Sequence, residues 1–167
     1  MHQRLTFSLF ALLLPVMIPV TALPVPAGEK IIPEGRRAVS AVFDLRQKDI
    51  ARAAIQIDLI HQSFYAETVR EGKNPPRFVI VFGGAGVRLV SNTRTGYTDQ
   101  ETTLLDLISA RLETMAREGI RLEACLFAAD TLDIDPATLL SFVHPVENGW
   151  LSLIGYQARG YSLVPVF

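Results

Sequence analysis

The feature that most constrains this chain is the string RFVIVF at residues 77–82, followed directly by Gly83-Gly84-Ala85-Gly86. Five apolar residues in a row leave no face for water, and Asn74-Pro75-Pro76 on the other side closes the run. A segment of that length, rich in β-branched and aromatic residues, reads as a strand covered on both faces, as in a parallel sheet. Residues 38–45 (AVSAVFDL) carry the same signature, with Val39, Val42, Phe43 and Leu45. Residues 120–128 (IRLEACLFA) read as a third strand, 142–146 as a fourth and 161–166 as a fifth.

Between these runs the apolar period changes. In residues 48–70, Ile50, Ala54, Ile57, Ile60 or His61, Phe64 and Thr68 recur at three or four positions, one face of a long amphipathic helix. Residues 101–118 repeat the pattern with Leu104, Leu105, Ile108, Leu112 and Met115, and Gly119 is a natural stop. Asp135-Pro136 starts a short helix over 136–141, and 149–159 (GWLSLIGYQAR) form a last helix ended by Gly160. Strand and helix therefore alternate. The expected fold is α/β: one Rossmann-like domain with a five-stranded, mostly parallel sheet and helices on both faces. Ligands in such sheets bind at the carboxyl ends of the strands. Here those ends are 44–47, 83–88, 127–131 and 146–149.

The first 27 residues read as an export signal. Arg4 supplies a positive start, Leu5 to Val20 an apolar run, and Val20-Thr21-Ala22 or Ala27 a small-residue cleavage site. The alternative is an uncleaved anchor. The run falls short of the roughly 20 apolar residues a spanning helix needs, and Pro15 and Pro19 interrupt it. The expected product is periplasmic or secreted, without a membrane span after cleavage. Residues 28–37 then form a polar leader and 38–167 one domain. Losing Arg4 leaves 15 Lys and Arg against 17 Asp and Glu. No basic patch stands out, so nothing argues for nucleic acid.

Gly84-x-Gly86 invites a dinucleotide reading, but Leu89 stands where the third small residue belongs and no acidic residue follows at a strand end. No GK[ST] is present. The segment reads instead as a tight turn that lets backbone approach backbone or a neighbouring subunit. Asp130, Asp133 and Asp135 lack the Gly and terminal Glu of a calcium loop. His61 and His144 lack spaced partners for zinc. No metal or cofactor is expected. Cys125 is the chain's single cysteine. It is either a small buried hydrophobe or a functional thiol near the ligand-binding strand edge. A Cys125–His144 pair is conceivable in space.

The order of AVFDL, FVIVFGGAGVRLV, REGIRLEACLFAADTLDIDPATLL and GWLSLIGYQARGYSLVPV resembles the DsrE/DsrF-like family, of YchN-like fold, over about 38–166. The resemblance implies a Rossmann-like domain assembled as a homo-oligomer, trimer or hexamer. It also implies sulfur relay, with Cys125 at the position of a cysteine that takes a persulfide from a donor protein and passes it to an acceptor. On that reading a lone thiol is an advantage, because a second nearby would capture the sulfur as a disulfide. Arg88 matches a recurrent position near the strand edge, where it contacts a small anion or makes a structural ion pair. Asp44, Gly84, Gly86 and Arg88 are the expected strand-edge pocket. Two readings from other classes stand beside it: an oligomeric scaffold with Cys125 inert, and a small-molecule enzyme around Asp44, Gly84 and Arg88.

Overall fold

The computed structural model describes residues 38–71 and 74–167. The expected signal (1–27) and leader (28–37) lie outside the described residues. The strands are β1 (Ser40–Leu45), β2 (Arg77–Phe82), β3 (Arg121–Cys125), β4 (His144–Val146) and β5 (Ser162–Val166). The helices are α1 (Ile50–Tyr65), α2 (Glu67–Arg70), α3 (Asp99–Arg117), α4 (Leu126–Thr131) and α5 (Gly149–Ala158). The sheet order is β4-β3-β2-β1-β5, and all four pairings are parallel. The α/β expectation holds.

Alternation along each strand sorts side chains between two layers. Phe43 and Leu45 of β1, Phe78, Ile80 and Phe82 of β2, and Leu122 and Ala124 of β3 join the larger core with Ile57 and Phe64 of α1 and Leu105, Ile108 and Leu112 of α3. Val42, Val79 and Val81 point the other way, against Leu153 and Tyr156 of α5. This is why the central strand, β2, reads as an unbroken apolar run: each face has its own cover.

Several boundaries differ from the sequence reading. The helix expected over 48–70 breaks at Ala66, whose backbone is extended (φ −57°, ψ 135°). A straight helix would carry Val69 off the Ile57–Ile60–Phe64 stripe; the break turns it into the core, where it is buried. The next helix starts at Asp99 because Thr98 and Glu101 form a reciprocal cap ahead of the expected start. The strand expected over 120–128 ends at Cys125. From there Cys125, Ala128, Ala129 and Leu132 fall at helical spacing, and α4 follows with no intervening loop. The short helix over 136–141 contracts to a 3-10 turn at Pro136–Thr138, capped by Asp135 as expected, and the fourth strand begins at His144 rather than 142.

Candidate functional site

The register sets the site. Leu45, Phe82 and Ala124 are level across β1, β2 and β3, so the next step along each strand brings Arg46, Gly83 and Cys125 into one row on the α5 face. Asp44, Val81 and Glu123 form the row behind it. Gly83 continues its strand in extended backbone (φ −124°, ψ 166°). Having no side chain, it leaves a gap between Arg46 and Cys125. That gap belongs to a cavity of about 320 Å³, lined by Asp44, Arg46, Val81, Gly83 to Ala85, Cys125, Phe127, Ala128, Thr131, Leu132 and Asn148 to Trp150. Its volume is in the range of small-ligand sites.

All four strand-end segments singled out from the sequence contribute to this cavity. Its walls are mostly apolar. The exposed rings of Phe127 and Trp150 form the rim, and Cys125, only 7% exposed, lies on the floor. Asn148 caps α5 by accepting from the Trp150 N–H, which frees the first helical N–H, that of Gly149, to donate to Cys125 Sγ at 3.2 Å. A helix N-terminus thus points a backbone donor at the sulfur, an arrangement that steadies negative charge there. Gly149 packs tightly against the site. A Cβ would lie 3.1 Å from Cys125 Cβ and 3.2 Å from Val81 Cγ1.

Asp44 is nearly buried on the opposite wall, and both its carboxylate oxygens accept from Arg46 Nε at 2.9 Å. The Arg46 guanidinium carbon also sits 5.7 Å from the centre of the Trp150 ring. Behind Cys125, Glu123 is 3% exposed. Its carboxylate accepts from Arg121 Nε at 2.6 Å, from Tyr156 OH at 2.7 Å and from Ser152 Oγ. Burial alone would push the Glu123 carboxyl up, but the bonds from Ser152, Arg121 and Tyr156 outweigh it and hold it below the usual carboxylate range. Ser152 and Tyr156 are on α5, so Glu123 ties that helix to β3 two residues from Cys125.

Of the expected pocket residues, Asp44 and Gly84 line the cavity with Cys125. Gly84 has φ +47°, which favours glycine at the turn. Gly86 does not line it. Its α-carbon packs so closely on β1 that a Cβ would lie 2.3 Å from the Leu45 carbonyl oxygen. Arg88 is exposed and borders a separate recess with Lys48, Asp49, Tyr97 and Glu101. His144 is level with Glu123 and Cys125 with Val146, so the histidine is out of step with the cysteine and exposed. His61 is satisfied by Glu118 at 2.5 Å. Sequence reading missed Glu123, Arg46 and Trp150. A glutamate inside RLEACL, at a position where alternation demands burial, was the available signal for the first.

The family model described as the DsrE/DsrF-like family matches residues 41–166. An uncharacterized protein of Aquifex aeolicus (strain VF5) is 27% identical over 128 residues, which cover 76% of this chain. The match spans 56% of that relative's length. Among solved structures, that of a protein of unknown function, MTH1491, from Methanobacterium thermoautotrophicum superposes with a TM-score of 0.59 at 17% identity. The superposition covers 76% of this chain and 98% of the other. At that identity the likeness concerns the fold.

Proposed function

This chain belongs to the DsrE/DsrF-like family, a family associated with sulfur relay, and from that premise we propose that it carries sulfane sulfur on Cys125. The observation that carries the reading is the placement of Sγ: on the floor of a cavity open to solvent, at a strand's carboxyl end, with the Gly149 N–H directed at it. A thiolate there attacks the outer sulfur of a donor persulfide, the donor's S–S bond breaks, and the donor leaves as a thiol. The sulfur then sits on Cys125 as a persulfide until an acceptor thiol attacks it in turn. The chain supplies position and a donor hydrogen bond, and the chemistry requires no cofactor. We read the first 27 residues as the signal that takes this carrier out of the cytoplasm.

Self-association is part of the proposal. Trp150, Leu151 and Ile154 are exposed along α5, and Leu163 and Phe167 are exposed at the β5 edge. Large apolar side chains concentrated on one helix and the neighbouring sheet edge favour burial against another copy.

Alkylation of the native protein by iodoacetamide separates the carrier from an inert scaffold. The carrier reading expects complete labelling of Cys125 in the folded state, slowed by any side chain introduced at Gly83. Labelling that appears only after denaturation would make Cys125 a core residue and leave the scaffold reading.

A further inference from the structure

We infer that the sulfur donor or acceptor taken up in this cavity is a small organic persulfide or thiol bearing a carboxylate, recognised by Arg46. The inference rests on the carrier reading of Cys125 and names its substrate class.

The row Arg46–Gly83–Cys125 carries it. Adjacent strands lie about 4.8 Å apart, so the α-carbons of Arg46 and Cys125 are separated by two such steps, about 10 Å. Between them Gly83 contributes no side chain, and the nearest atoms to a Cβ built there are Asp44 Oδ1 at 3.7 Å and Arg46 Cζ at 3.9 Å. The space is therefore open from the guanidinium to the sulfur. Asp44 engages Arg46 only through Nε. Among the described residues no hydrogen bond takes either terminal nitrogen of Arg46, and a guanidinium keeps four further N–H donors on them. Asp44 and the Trp150 ring hold the group in place. The side chain of Arg46 is 30% exposed, so it is reachable and only partly screened. Its donors suit the planar two-oxygen geometry of a carboxylate.

The remaining walls favour a slim, partly apolar molecule. Cys125 is recessed beneath the rings of Phe127 and Trp150, which hinders a thiol held on a broad folded surface but admits one of amino-acid to tripeptide size. The transfer balances without a further reactant. Cys125 sulfur bonds to the outer sulfur of R–S–S–H, the R–S bond to that sulfur breaks, and R–S takes a proton as the thiol. One S–S bond forms as one breaks, with no net oxidation.

The experiment compares two donors, the persulfides of N-acetylcysteine and of its methyl ester, and reads Cys125 loading by intact mass. Wild type is expected to load from the carboxylate donor about tenfold faster than from the ester, the low end for a charge-assisted bond at a partly exposed site. Arg46→Gln should lose that preference, its rates from the two donors becoming equal because loading from the carboxylate donor falls about tenfold, and a circular dichroism spectrum like that of wild type shows that the variant is folded. Arg46→Lys should keep part of it. Equal rates from both donors in wild type would overturn the inference and leave the carrier standing, as would loading from a protein persulfide alone. An Arg46→Gln variant slowed equally with both donors would overturn it too, making Arg46 structural. No loading of wild type from any donor would remove the carrier reading itself.

Discussion

Replacing Glu123 tests the support beneath the site. The carboxylate is 3% exposed and receives three donors, from Arg121, Ser152 and Tyr156. Glutamine has the same shape, but offers one acceptor oxygen and an NH2 group. Ser152 and Tyr156 can rotate their hydroxyls to accept from that NH2, whereas Arg121 cannot accept. The variant therefore keeps most of its hydrogen bonds and loses their charge. A charge-assisted bond is worth about 1.5–3 kcal/mol and a neutral one about 0.5–1.5. The two bonds to α5, that from Tyr156 buried and that from Ser152 partly so, thus lose about 1 kcal/mol each, and the Arg121 pair adds little because that guanidinium is half exposed. Glu123→Gln should cost about 2 kcal/mol. Glu123→Ala, which strands the buried Tyr156 hydroxyl, should cost about 3–5. The assay is urea unfolding followed by circular dichroism, with unchanged slope. The pH dependence adds a second handle. Because the folded carboxyl titrates below its unfolded value, its stabilisation is full above the usual glutamate range and is lost as pH falls through the folded value. The gap between wild type and Glu123→Gln should close over that acidic window. A Gln variant as stable as wild type at neutral pH, with the same acid profile, would refute the reasoning.

Three glycine substitutions follow, two at the cavity and one, Gly86, at the close packing on β1 outside it. Gly83→Ala meets no atom closer than 3.7 Å in a backbone any residue adopts, so stability should stay within about 0.5 kcal/mol while alkylation of Cys125 slows; a stopped alkylation assay and an unfolding curve check both. Gly86→Ala would place a Cβ 2.3 Å from the Leu45 carbonyl oxygen, and the backbone cannot step aside cheaply, so the cost should reach or exceed the ~3 kcal/mol of severe overpacking, seen as loss of soluble protein or a lowered midpoint. Gly149→Ala is intermediate. Its contacts at 3.1 and 3.2 Å add about 1–3 kcal/mol of crowding, offset by about 0.4–1 from a less flexible unfolded chain. A net loss of about 1 kcal/mol is expected, with severalfold slower labelling of Cys125 as α5 is pushed off the sulfur.

The parts legible in the sequence were those written in local pattern. RFVIVF is β2 to the residue, and its burial on both faces followed from an unbroken run. Gly86 was readable as a close approach, because Gly-x-Gly without the rest of a nucleotide fingerprint leaves backbone packing as its purpose. The end of β3 was not legible. EACLFAAD suits a strand or a helix over so few residues, and only packing of Ala128 and Ala129 decides that α4 begins at Leu126. The Glu123 network joins residues 29 and 33 positions apart, beyond any local period. The separation of Arg88 from Cys125 was hidden for the opposite reason. Both sit near strand ends, but the 3-10 helix over Gly84–Val90 turns Arg88 onto another recess.

The central claim is that Cys125 takes up a sulfane sulfur and gives it away. The most direct measurement is intact-mass spectrometry of the purified protein before and after a persulfide donor, followed by an excess of acceptor thiol. The account predicts a gain of about 32 Da for one added sulfur, confined to Cys125, absent from Cys125→Ser, and removed by the acceptor. A native protein that gains no mass, while the same thiol labels fully once unfolded, would contradict it.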